Sequence, residues 1–193
     1  INLKTAIVFL MKAVDLKPTD LDRISVAQGP GSYTGLRVAV ATAKTLAYTL
    51  NIELVGVSSL YALAAVADFD GLVVPVIDAR RNNVYAGFYK DGQSLKDDQR
   101  MNFVDVLEAV KDEESVMFVG EVANFSDQIA ESLPQAKVLS VLPSAYAIGK
   151  RGQELQPVDV DSFVPSYLKR VEAEENWLKT HIENPSANYV NRI

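Results

Sequence analysis

The stretch that decides the fold runs from Arg23-Ile24-Ser25-Val26-Ala27 through Gln28-Gly29-Pro30-Gly31-Ser32 into Tyr33-Thr34-Gly35-Leu36-Arg37. Its first five residues read as a short strand, its next five as a turn. From Tyr33 or Thr34 a long helix runs to about Leu50, with Ala39, Ala41 and Ala43 set among Val38, Val40 and Leu46. A strand that enters a helix through a glycine-rich turn is the building unit of an α/β sheet. The helix start leaves backbone N–H groups without partners and carries the positive end of the dipole, so it favours an anion. Gly29, Gly31, Ser32, Thr34, Gly35 and Arg37 are therefore a candidate anion site, with no Gly-Lys-Ser/Thr of a P-loop and no dinucleotide glycine spacing. The alternative is a strand-to-helix turn whose glycines serve backbone angles and packing.

Working outward, Leu3, Ile7, Leu10, Met11 and Val14 fall at helical spacing, which predicts an amphipathic helix over 3–15. Val8 and Phe9 lie off that stripe, so this helix is apolar on more than one face, and Lys17-Pro18-Thr19-Asp20 ends it. Downstream come a strand at Leu54–Val57 and a helix over 60–68 capped by Ser58 or Ser59. The next segment predicts strands at Leu72–Asp78 and Val84–Tyr89 and a weak third one near 95–101, then a helix over 103–111 capped by Asn102 with Asp105 at the box position. Val116–Val119 and Lys137–Ser140 read as strands, and 123–133 and 144–154 as helices; a short helix is expected near 171–181.

The second half thus reads as three strands followed by helix, strand, helix, strand, helix, and the first half matches only its last five elements. The expectation is two tandem α/β domains, 1–69 and 70–193, the first lacking its opening strands. By the length of 70–101, about 35–40 residues of ordinary strand-and-turn length would precede Ile1, where no initiator methionine stands.

Composition narrows the chemistry. The 193 residues are 48% hydrophobic and 23% charged, which excludes a disordered chain, and no apolar run approaches a membrane span. There is no cysteine and one histidine, His181, so thiolate chemistry and a histidine metal cage lack their ligands. A net charge of −6 argues against a broad nucleic-acid surface, although Arg80, Arg81 and Lys90 form a local basic group. Asp78 ends a buried strand, where a carboxylate holds a metal in some α/β sheets and otherwise closes a turn or pairs with Arg80 or Arg81. Glu172, Glu174 and Glu175 read as a solvated helix face, Trp177 as packing against the body, and Lys44 as a snorkelling side chain or an anion contact. None of these supplies a nucleophile–base pair.

Gly29 to Ala47 closely resembles the signature of the TsaB (YeaZ) family, in the glycoprotease-like branch of the actin/sugar-kinase superfamily. Gly56-Val57-Ser58-Ser59-Leu60, Ala62-Leu63-Ala64, Val76-Ile77-Asp78-Ala79-Arg80-Arg81 and Pro165-Ser166-Tyr167-Leu168 match in order. The resemblance implies tandem ribonuclease-H-like domains with mixed sheets and a cytoplasmic role in making N6-threonylcarbamoyladenosine on tRNA. It implies a non-catalytic scaffold or activating subunit. The partners would be a catalytic TsaD-like paralogue, a TsaE-like ATPase and a second copy of the chain, with tRNA met only within the complex. ATP, Mg²⁺ and the catalytic metal are expected on the partners, with no cofactor intrinsic to this chain and no membrane. The expected interface comprises Ile7, Val8, Phe9, Met11, Tyr33, Val40, Ala43, Lys44 and Ala47. The alternatives are an ATP-dependent phosphotransferase of the same superfold and a metalloprotease.

Overall fold

The computed structural model describes residues 3–168, so the acidic cluster, Trp177, His181 and the helix expected near 171–181 lie outside the described residues. The chain is an α/β protein with two sheets. The helix α1 (Leu3–Ala13) precedes a single 3₁₀ turn at Pro18–Asp20 and the strand β1 (Arg23–Gly29). The helix α2 (Tyr33–Leu50), the strand β2 (Glu53–Ser58) and the helix α3 (Ser59–Ala64) follow. The next elements are β3 (Leu72–Asp78), β4 (Asn83–Lys90), β5 (Gln93–Asn102) and α4 (Phe103–Ala109). The last are β6 (Val116–Gly120), α5 (Ser126–Ser132), β7 (Lys137–Ser140) and α6 (Ala145–Glu154).

β1 and β2 pair in parallel, from Arg23 opposite Glu53 to Gly29 opposite Ser58, with a register shift between Ala27 and Gly29. The second sheet has the order β5-β4-β3-β6-β7, antiparallel on the hairpin side and parallel on the other. Period-two alternation along β3 decides its two faces. Leu72, Val74 and Val76 pack with Phe103, Val106, Phe118, Phe125 and Ile129 beneath α4 and α5, whereas Val73 packs with Leu60 and Leu63 of α3. A helix from the first half thus covers one face of the second sheet.

The exchange also runs the other way. Gly152 of α6 meets Ser25 of β1 so closely that a Cβ there would lie 1.9 Å from the Ser25 hydroxyl oxygen. Arg23 then holds the end of α6, its Nη1 donating to the carbonyls of Gly152 (2.5 Å) and Leu155 (3.1 Å) while its Nε donates to Glu53 (2.7 Å). Orphan C-terminal carbonyls are satisfied by a cation in this arrangement. Past α6, Val158 bridges Leu54, and Phe163 completes the core formed by Val40, Ala43, Ala47 and Leu54.

Three local expectations are corrected. The helix expected over 60–68 stops at Ala64, because the amides of Val66 and Ala67 turn back to carbonyls three residues earlier. The segment 123–133 opens as a 3₁₀ turn at Ala123–Phe125, which buries Phe125, before α5 begins. Asn102 does cap α4, but its side chain accepts from the amide of Val104 and so serves the second helical position, not the box position. No helix among the described residues is long and apolar enough to cross a membrane.

Candidate functional site

The turn after β1 is built around one close approach. Gly29 has φ +119°, and a Cβ on it would stand 2.6 Å from the Ser166 carbonyl oxygen, so only glycine fits there. The amide of Ser166 in turn donates to Gln28 O at 2.7 Å. The glycine that the sequence offers to an anion is therefore occupied by the chain's own backbone. Ser32 caps α2, its hydroxyl accepting from the Gly35 amide at 3.5 Å, while Gly31 has no heavy atom within 4 Å of its would-be Cβ. Arg37 turns back on its own helix: its guanidinium donates to the Tyr33 hydroxyl (3.1 Å) and lies 5.3 Å over that ring.

Beside this turn a cleft of about 550 Å³ opens between the two sheets. One wall is Pro30–Tyr33, the facing wall is Ile77–Arg80 with Tyr85 and Glu121, and Ser166–Leu168 closes the side. Tyr33 and Tyr167 stack across its mouth with ring centroids 5.2 Å apart. On the far wall the Asp78 carboxylate accepts the Arg80 amide (2.7 Å) and the Asn124 side-chain amide (3.0 Å). The Glu121 carboxylate accepts the Asp78 amide (2.8 Å). Of the roles open to Asp78, turn closure is the one its contacts describe. Arg80, Arg81 and Asn82 all have positive φ, an uncommon run for non-glycine residues, and the turn closes where the Asn83 amide donates to the Arg80 carbonyl (3.0 Å) and the Ala79 amide to the Asn83 carbonyl (2.8 Å). Among the described residues no three His, Cys, Asp or Glu side chains converge as a metal site.

The predicted interface residues divide. α1 has no buried residue: Phe9 is 71% exposed, Leu10 is open to solvent, Val8 is exposed, and Ile7 and Met11 are half-buried; Val14, just past its end, is exposed too. Val40, Ala43 and Ala47, in contrast, face inward. They are buried against Leu54 and Phe163, because the alanine face of α2 is what lets the helix lie close on β1 and β2. Within this chain they are core, and the outward row of α2 is carried by Val38, Ala41, Thr45 and Tyr48 instead. The Lys44 ammonium donates to the carbonyls of Asp161 and Phe163, both at 2.9 Å, clipping the C-terminal segment to α2. Tyr33 is half-exposed and engaged with Tyr167. Counting alanines does not separate an inner from an outer helix face when both carry small residues.

The family model described as "TsaD: tRNA N6-adenosine threonylcarbamoyltransferase" matches residues 1–177. The chain is 39% identical over 182 residues to the tRNA threonylcarbamoyladenosine biosynthesis protein TsaB of Bacillus subtilis (strain 168), a match covering 89% of this chain and 80% of that relative. It is 35% identical over 75 residues to the TsaB of Escherichia coli (strain K12), covering 37% of this chain and 32% of that one. A crystal structure of a Pseudomonas aeruginosa protein with similarity to peptidase YEAZ superposes with a TM-score of 0.70 at 24% identity, over 86% of this chain and 82% of that chain. That likeness supports the shared fold.

Proposed function

We propose that this chain, which belongs to the TsaB family of tRNA threonylcarbamoyladenosine biosynthesis proteins, is a docking subunit of that pathway rather than its transferase. The observation that carries the reading is the 39% identity to a TsaB protein over most of this chain, and α1, an eleven-residue helix rich in Ile, Val, Phe, Leu and Met, is the surface we assign to the partner. Val8 and Phe9 lie off the stripe of Leu3, Ile7, Leu10 and Met11, so α1 carries apolar residues beyond what a single packing face uses. The outward row of α2, with Val38 and Tyr48 exposed, offers a second apolar helix surface.

The occupant we favour is a TsaD-type transferase, with a second copy of this chain as the competing occupant and a TsaE-type ATPase joining the assembly. The composition fits this division of labour: with one histidine and no cysteine, the given chain offers no histidine or thiolate cage for a catalytic metal. Gly29 is filled by Ser166 and Arg37 is folded onto Tyr33, which weighs against an ATP-dependent phosphotransferase acting through that turn. The setting is the cytoplasm, where tRNA is modified, and tRNA would be met through the assembly. Mixing the purified chain with a TsaD-type transferase and measuring mass by light scattering tests the reading. A heterodimer at about 10 μM, an ordinary affinity for such an interface, supports it; two separately eluting proteins refute it.

A further inference from the structure

At the junction of the two sheets lies a hydrogen-bonded cluster that neither the docking surface nor the cleft uses. Ser58 ends β2 and caps α3, its hydroxyl oxygen accepting from the amides of Leu60 (3.0 Å) and Tyr61 (3.2 Å). Its one proton is directed at Asp98 Oδ2 of β5, 2.5 Å away, and the hydroxyl of Tyr89 on β4 donates to Asp98 Oδ1 at 3.2 Å.

Two backbone features bring that carboxylate inward from an otherwise exposed edge strand. The β4–β5 pairing slips between Ala86 opposite Gln99 and Phe88 opposite Lys96, and slips again before Tyr89. Such bulges re-aim a side chain. Opposite them stands Gly87, where a Cβ would lie 2.6 Å from the Tyr89 ring and 2.9 Å from Asp98 Oδ1. Ser58 pairs in register with Gly29, the residue that opens the cleft turn, and Tyr85 of β4 lines the opposite wall.

We propose that Ser58, Tyr89 and Asp98 form a conformational clasp that fixes the two-stranded sheet against the β4–β5 hairpin and thereby sets the opening of the cleft beside it. The clasp responds to acid. Burial raises the Asp98 carboxyl above the ordinary aspartate range; hydrogen bonds from Ser58 and Tyr89 oppose that rise and the neighbouring Asp97 adds to it. Tyr89, itself raised by burial and by Asp98, faces it, and Tyr61 of α3 packs edge-on against Tyr89 (ring centroids 6.1 Å apart) with Arg151 of α6 5.4 Å over its own ring. A closed state that holds the carboxyl at a raised pKa binds a proton more readily than an open state with that carboxyl in water, so falling pH favours closure.

The chain has no cysteine, so Thr49→Cys on α2 and Glu131→Cys on α5 give a uniquely spin-labelled pair on the two sides. The expected result is a distance distribution that narrows on acidification from neutral pH towards the ordinary aspartate range. S58A and D98A broaden it towards longer distances, and D98N, the stand-in for the protonated acid, removes the pH dependence. A distribution unchanged by pH in the otherwise unaltered chain overturns the proposal, even if a variant fails to fold. So do S58A and D98A distributions that match it.

Discussion

Phe9→Glu and Ala43→Glu are substitutions on two helices of the same half with opposite expected consequences. Phe9 is 71% exposed on a helix with nothing buried, and glutamate is the better helix former, so folding is expected to change by less than about 0.5 kcal/mol. A buried phenylalanine removes about 200 Å² from water, of which roughly 140 Å² remains to be covered at this site, worth about 3.5 kcal/mol at 25 cal/mol per Å². Association and side-chain ordering consume part of that, which leaves about 2 kcal/mol or more, a 30-fold or larger loss of affinity for the partner. Ala43 is 6% exposed amid Val40, Ala47, Leu54 and Phe163, so a carboxylate there costs several kcal/mol and unfolds the first sheet before any partner arrives. The assay is titration calorimetry against a TsaD-type transferase, with far-UV circular dichroism and a thermal melt on each variant. F9E is expected to melt like the unaltered chain and bind poorly, and A43E to lose the part of the helical signal that α2 contributes. F9E binding within twofold of the unaltered chain refutes the docking reasoning, and A43E that stays folded refutes the packing reasoning.

Other outcomes follow from the same packing. Gly152→Ala is expected to destabilise by about 1–3 kcal/mol through overpacking on Ser25, with much of the loss recovered in the G152A/S25G pair, read as melting temperatures. Arg23→Ala is expected to cost about 1.5–3 kcal/mol in urea unfolding by stripping the end of α6 of its donor, and R23K to recover little because one ammonium does not reproduce the guanidinium's reach to Glu53 and the α6 carbonyls together. The raised Asp98 carboxyl penalises the folded state above its folded-state pKa, and the penalty fades as pH falls towards the ordinary aspartate range. D98N is therefore expected to gain stability relative to the unaltered chain at pH 7 and to lose that advantage on acidification, measured by urea unfolding across pH.

The order of elements was legible because their signals are local: the near-continuous apolar run of β3, the alternation of β4, the caps at Ser58 and Asn102. The apolar excess at Val8 and Phe9 was legible for the same reason. What escaped depends on tertiary approach. The inner and outer faces of α2 differ by which small residues meet Leu54 and Phe163, and Phe163 lies more than a hundred residues away. Gly29 reads as a phosphate-cradle glycine until Ser166 is seen against it. Asp98 looks like one more charge on an edge strand, because the bulge that turns it inward has no sequence mark beyond Gly87 opposite.

The most direct measurement is the rate of N6-threonylcarbamoyladenosine formation on tRNA by a TsaD-type transferase with its ATPase partner, with and without this chain. The docking account predicts that modification depends on adding the chain and is lost again with F9E at equal concentration. Modification that proceeds unimpaired without the chain would contradict it.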